Sequence, residues 1–262
     1  TNDAPTITST AVTSATEDSA YTYTVTASDV DVGDTLTMTG TTVPSWLTFD
    51  ATTGVLSGTP LNANVGDNSV VITVGDGTTT VTDSFTITVA NTNDAPTITS
   101  TAVTAATEDS LYTYTSTASD VDAGDTLTAA GTTVPSWLTF TASTGVLTGT
   151  PTNAEVGSHA VVITFSDGTA SVTDSFSITV ANTNDAPTLA NPISDASVAE
   201  DAAYSLDVSA MCADVDVGDT MAYTLAGAPT TLSVASGVIS GTPLNADVGT
   251  HTITVTCTDG AG

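Results

Sequence analysis

Lysine and arginine are missing altogether from this chain, against 29 aspartates and glutamates, and His159 and His251 are its only basic side chains. At a formal charge of −29, ordinary salt bridges are ruled out. Phosphate recognition relies on basic side chains, so nucleic acid is excluded as a partner, and an anionic membrane surface would repel the chain. Trypsin-type proteases find no cleavage site in it. Cysteine is scarce: Cys212 and Cys257 stand alone, both in the last third, and read as one disulfide formed in an oxidising compartment. No apolar run approaches the roughly eighteen residues of a membrane helix, so direct membrane insertion is not expected. The opening "TNDAPTITST" lacks the basic and apolar regions of a signal peptide, and the chain reads as mature or as excised from something longer.

What is present favours strands. The chain is 40% hydrophobic but 5% aromatic, with Thr, Val, Ser, Ala and Gly abundant, a composition that can bury cores and suits a pleated sheet. Its length suits two or three ordinary domains, and internal repetition chooses three. Asn2-Asp3-Ala4-Pro5 returns at 93 and at 184, a period of 91 residues. "TEDS" at 16–19 returns at 107–110 and as "AEDA" at 199–202; "SDVDVGDTL" at 28–36, "VPSWLTF" at 43–49 and "TGVLSGTP" at 53–60 keep the same step. Apolar residues alternate, as in Tyr21, Tyr23, Val25 and in Phe85, Ile87, Val89, the period of half-buried strands. About seven such stretches per unit, parted by Gly, Pro, Asp and Asn, predict antiparallel β-sandwiches at residues 1–92, 93–183 and 184–262. The third unit lacks a counterpart of "VTDSFTITVA"; either the chain is a window on a longer array, or another subunit donates the final strand.

The acids are not scattered. Asp3, Glu17, Asp18, Asp29, Asp31, Asp34, Asp76 and Asp83 all have acidic counterparts one period later, mostly at turns and strand ends. Unpaired carboxylates gathered in loops repel one another, so a hard divalent cation is the expected counterion. Turn-forming preference of Asp and Gly is the plain alternative, and recurrence in register with the linker phrase argues against it. An EF-hand reading of "DVDVGD" fails for want of the bidentate Glu and flanking helices.

"VTASDVDVGDTLT", "TVGDG" and "VANTNDAPT" resemble the calcium motifs of cadherin repeats, in the cadherin-like and putative-Ig variant of bacterial surface adhesins, over all three units. The resemblance implies an all-β tandem array of three cadherin-like or Ig-like sandwiches, the last without its final strand. It also implies calcium at the junctions. Carried over by position, one junction would use Asn93, Asp94, Asp120, Asp122 and Asp167, and the next Asn184, Asp185, Asp214, Asp216 and Asp259. Asn2, Asp3, Asp29, Asp31 and Asp76 would await a preceding domain. Glu17 and Glu108 match a family ligand after the first strand. The chain departs from the family at the acidic triplet, where it reads Asn62-Ala63-Asn64, Asn153-Ala154-Glu155 and Asn245-Ala246-Asp247, and at Asn91 and Asn182, which replace a linker acid. Fewer charges imply weaker binding, and one ion per junction is expected.

Trp46 and Trp137 read as core aromatics rather than as a sugar-stacking pair; the third unit has Thr231 there. Cys212 and Cys257 stand where the other units have Ala27 with Val74 and Ala118 with Phe165, apolar partners expected to face each other across the sandwich. A bridge between them would restrict the unfolded chain by about 4 kcal/mol and offset the absent Trp. The histidines read as turn residues with no nucleophile beside them, so no enzyme is expected. The sum is a calcium-stiffened rod, the stalk or shaft of an extracellular bacterial adhesin or filament. Its partners are neighbouring repeats of the same or an identical chain, with any host or carbohydrate ligand elsewhere in the full protein. A ligand-binding or carbohydrate-binding module and a self-assembling filament subunit are the alternatives.

Overall fold

A computed structural model describes residues 1–260; the last two residues of the third unit lie outside it. The chain falls into two compact units, one of residues 1–100, 117–130 and 164–173, the other of 101–116, 131–163 and 174 onward. This division does not follow the sequence period. The linker at 91–94 lies within the first unit and the linker at 182–185 within the second, because each linker packs with the loops on either side of it.

In the first repeat the strands are β1 (Thr6–Ile7), β2 (Ser14–Thr16), β3 (Tyr21–Thr24), β4 (Ala27–Ser28), β5 (Thr37–Thr42), β6 (Leu47–Asp50), β7 (Val55–Gly58), β8 (Gly66–Gly75) and β9 (Thr80–Ala90). One sheet runs β2-β9-β8-β5, the other β3-β7-β6, and β1 pairs with β4. The expected antiparallel ladders are present with one exception: β2 runs parallel to β9, Ser14 opposite Thr88. The first strand divides into β1 and β2, and the chain between them crosses from β4 to the edge of the larger sheet. Repeat two carries the matching pairs 97–98 with 118–119, 105–107 parallel to 179–181, and 146–149 between 112–115 and 139–141.

Alternation becomes burial as the period requires. Tyr21, Tyr23, Val25, Leu56, Val70, Ile72, Val74, Ile87 and Val89 form one core cluster, against which Trp46 and Phe85 pack half-buried. Trp46 meets Tyr21 edge to face at 5.7 Å, and Phe85 meets Tyr23 likewise at 5.5 Å. Gly58 in "SGTP" lies opposite Leu47, and a Cβ there would sit 2.0 Å from the Trp46 carbonyl oxygen; only glycine allows that approach.

Burial pushes the Tyr21 and Tyr112 hydroxyls up to about 12, helped by the neighbouring Tyr23 and Asp83 or Tyr114 and Asp174. Both tyrosines stay neutral in the folded chain where the unfolded chain, at its ordinary 10.0, already ionises. Their contribution is intact below pH 10 and is lost between 10 and about 12. An ultraviolet pH titration should therefore show phenolate appearing late and together with unfolding, and early ionisation of every tyrosine in a still-folded chain would contradict the packing.

The third repeat is built differently. Val208, Met211 and Ile239 form its buried cluster, with Cys212 and Cys257 packed against it. Cys212 and Cys257 are joined as a disulfide across a sequence separation of 45 residues. Thr231 donates to Asp247 at 2.8 Å, where the first repeat has Trp46 donating to Asn68 at 3.0 Å. In the second repeat Trp137 Nε1 is buried with no acceptor, while His159 lies edge-on to it at 5.9 Å and donates Nε2 to the Glu155 carbonyl. His159→Asn should give Trp137 the acceptor that Asn68 supplies in repeat one, raising stability by about 1 kcal/mol; an unchanged or lower melting temperature would refute that account. Among the described residues, no helix is long and apolar enough to cross a membrane.

Candidate metal centres at the linkers

Each acidic loop is organised by the same local turn. In Asp-x-Asp, the first carboxylate accepts the N–H two residues on: Asp31 N to Asp29 Oδ1 at 2.8 Å, Asp122 N to Asp120 Oδ1 at 3.0 Å and Asp216 N to Asp214 Oδ1 at 3.0 Å. This is an Asx turn, and it commits one oxygen while turning the other inward. Asp29, Asp120 and Asp214 Oδ2 are all sealed from solvent with no hydrogen-bond donor. A buried charged oxygen without a donor is costly, and here the cost recurs at the same place in three repeats.

At the first linker, two groups of carboxylates gather. Glu17, Asp94 and Asp122 bring one oxygen each within 4.8 Å of one another, and Asp120, Asp125 and Asp167 do the same. Glu17 and Asp122 are 2% and 5% exposed and Asp94 is half-buried, so two of the three carboxylates are shielded from water. Three elements hold the group. The Asp94 N–H donates to Asp122 Oδ2 at 2.7 Å; Asn91 and Asn62 donate to Asp122 Oδ1 at 3.0 and 2.9 Å; Asn62 also reaches Asp94 at 3.1 Å. In the second group Asn93 donates to Asp167 Oδ2 at 3.1 Å, and the N–H groups of Thr169 and Ala170 fix the other oxygen of Asp167.

The second linker repeats the plan within the other unit. The Asp185 N–H and Asn153 donate to Asp216, each at 2.7 Å, and Asn182 also donates to it. Asn184 reaches Asp259 at 3.1 Å. The carboxylate groups are Glu108, Asp109 and Asp185, and Asp214, Asp216 and Asp219. At the start of the chain Asn2 donates to Asp76 at 3.1 Å, the Asp3 N–H to Asp31 at 2.6 Å, and Asp29, Asp34 and Asp76 gather.

Crowding and donors pull the carboxyls in opposite directions. Asp122 and Asp216 are held below the usual carboxylate range, chiefly by the N–H of Asp94 and of Asp185. Asp34, Asp125 and Asp219 are pushed up, by desolvation first and then by neighbouring carboxylates. Such a set can hold a hard divalent cation: all-oxygen donors, several charges, and inward oxygens with no other partner.

Most positions singled out in the sequence lie in these groups or donate to them. Asp31 and Asp259 lie beside a group, close enough to help push up Asp34 and Asp219, and accept from the Asp3 N–H and from Asn184; Glu155 lies in none of the groups. It accepts from the backbone N–H and hydroxyl of Thr152 at 2.9 and 2.8 Å, capping the short 3₁₀ turn at 153–155 as Asn64 and Asp247 cap theirs. Structure adds Asp34, Asp125 and Asp219, the third acid of "SDVDVGD", whose recurrence was the available signal. It also adds Asn62 and Asn153, departures from the family triplet that nevertheless reach across to the next repeat's Asp122 and Asp216.

The chain is 31% identical over 140 residues to the serine-rich adhesin for platelets of Staphylococcus aureus, which covers 53% of this chain and 6% of that protein; the chain thus spans a small part of the curated relatives it matches. Its fold is similar to extracellular cadherin domains 1–5 of protocadherin gamma B2, with TM-score 0.62 and 19% identity over 99% of this chain and 60% of that one. An endo-fucoidan hydrolase of glycoside hydrolase family 107 aligns at 26% identity over 100% of this chain and 43% of that chain, with TM-score 0.34, too loose a superposition to bear on fold or activity. The family described as Putative Ig domain matches residues 4–90, 95–181 and 186–262. The chain belongs to that family, as three tandem copies.

Proposed function

We propose that this chain is a calcium-stiffened spacer in the stalk of an extracellular bacterial surface adhesin. One observation carries the reading: the donorless inward oxygens of Asp29, Asp120 and Asp214, each among other carboxylates in a chain without lysine or arginine. Calcium, when bound, supplies the positive charge that the sequence withholds. Glu17, Asp94, Asp120, Asp122, Asp125 and Asp167 would hold it at the first linker, and Glu108, Asp109, Asp185, Asp214, Asp216, Asp219 and Asp259 at the second. Asn62, Asn91 and Asn93 already order these carboxylates, so the cage is assembled from the foot of one repeat, the linker and the head of the next. A linker tied on three sides resists bending and protease access. The adhesin relative and the family support placement at a cell surface.

The reading is mechanical rather than catalytic. His159 and His251 each donate Nε2 to a turn carbonyl, of Glu155 and Asp247, which leaves them in structural roles. Calcium titration by calorimetry on the chelator-stripped chain tests the proposal. Saturable uptake of at least one ion per linker, unaffected by a large excess of sodium, is expected; uptake indistinguishable from a buffer blank would end it.

A further inference from the structure

We propose that the side-chain amide of Asn62 is a built-in substitute for a cation at the first linker: it closes the Glu17, Asp94 and Asp122 group with hydrogen bonds and leaves the Asp120, Asp125 and Asp167 group to the ion. The inference rests on the calcium reading above, and divides the carboxylates named there for this linker between amide and ion.

Asn62 opens the 3₁₀ turn Asn62–Asn64 at the foot of the first repeat. Its Nδ2 carries two hydrogens, and both are spent on carboxylates of other segments: Asp94 Oδ2 in the linker at 3.1 Å and Asp122 Oδ1 in the next repeat's loop at 2.9 Å. Ionised carboxylates only accept, so the amide must face them through its nitrogen. The rest of the group is supplied in the same way. Asn91 donates to Asp122 Oδ1 at 3.0 Å, the Asp94 N–H to Asp122 Oδ2 at 2.7 Å, and the Thr92 N–H to Glu17 Oε2 at 3.1 Å. Each of the three carboxylates therefore has a donor, and Asp122 has one on each oxygen. A cation entering between Asp94 and Asp122 would meet the positive end of the amide dipole, and the hydrogens would first have to turn away.

The neighbouring group is the opposite case. Asn93 donates to Asp167 Oδ2, but no donor among the described residues meets the sealed Oδ2 of Asp120. The division follows from charge. An aspartate at position 62 would have no hydrogen to offer and would set a further negative charge against Asp94 and Asp122, which only an ion between them could offset. Asn153 repeats the arrangement in the other unit, donating to Asp216 Oδ1 at 2.7 Å and reaching Asp185 Oδ2 at 3.5 Å. A bridge made of amide hydrogens cannot be removed by a chelator, so this part of the linker stays tied when calcium is withdrawn.

The test compares the full chain with its Asn62→Asp variant by calcium calorimetry, and follows the amide resonances of the native chain, a measurement that needs no variant. Asn62→Asp should take up about one more calcium ion per chain than the native protein, and should melt at a lower temperature than it in chelator. In the native chain the side-chain NH2 resonances of Asn62 and Asn91 should keep their shifts and exchange protection from chelator to saturating calcium, while the Gly124 and Gly168 amides move. Equal ion counts in native and variant chains overturn the proposal. So does loss of the protected Asn62 NH2 resonances on adding calcium, which would mean that the ion displaces the amide. A native chain in which Gly124 and Gly168 ignore calcium overturns the calcium reading and the proposal with it, a pattern distinct from either of the others.

Discussion

Stripping calcium with a chelator should lower the melting temperature of the chain by roughly 10 °C or more. The magnitude follows from linkage: each site occupied in the folded state alone contributes about 2.7 kcal/mol when free calcium stands a hundredfold above its dissociation constant. For a chain of this size each kcal/mol moves the midpoint by about 2–4 °C. The sign follows from the charges. At −29, with the inward oxygens of Asp29, Asp120 and Asp214 lacking donors, the folded chain concentrates negative charge that the unfolded chain disperses. Monovalent salt screens part of this repulsion at the surface but does not bridge several carboxylate oxygens at once as a hard divalent ion does. Calcium should therefore act at concentrations far below those at which sodium chloride has any effect, and differential scanning calorimetry in matched ionic strength separates the two. Equal midpoints in calcium and in chelator would remove the basis of the proposed function.

Asp120→Asn should change sign with calcium. Without calcium, the substitution replaces a sealed, donorless carboxylate oxygen by a neutral amide beside Asp125 and Asp167. An –NH2 placed there donates to carboxylates that now repel one another, so the variant should be more stable than the native chain by about 1–2 kcal/mol. With calcium, the same change removes a charged ligand and should weaken affinity at the first linker by about tenfold, or roughly 1.4 kcal/mol. The two melting curves should thus cross between chelator and saturating calcium. A variant destabilised in both conditions would refute the cation role of Asp120, since the Asn oxygen still accepts the Asp122 N–H and only the inward group is changed. Asp34→Asn, in a group with no upstream repeat in this sequence, is the natural companion measurement.

Much of the architecture was legible because β-structure writes a period of two into its sequence. Tyr21, Tyr23 and Val25 could be placed inward from alternation alone, and the 91-residue step located the turns of the first two repeats against each other. The cysteine pair was legible for a related reason: its positions are occupied elsewhere by Ala27 with Val74, residues that already had to face each other. The parallel run of β2 beside β9 was not legible, since alternation says which face is buried but is silent on the direction of a partner strand.

The acidic groups divide in the same way. Residue order alone shows that carboxylates recur at loops and linkers, that no lysine or arginine of the chain can neutralise them, and that the strands between them alternate. Which carboxylates converge is settled by folding: Asp125 joins Asp120 and Asp167, Asn62 reaches over to Asp94 and Asp122, and Glu155 turns back to cap its own 3₁₀ turn. Composition and spacing are properties of the chain taken in order. Convergence depends on how an Asx turn spends one oxygen and frees the other, and on which loops the sandwich brings to one end, and neither is set until the strands have paired.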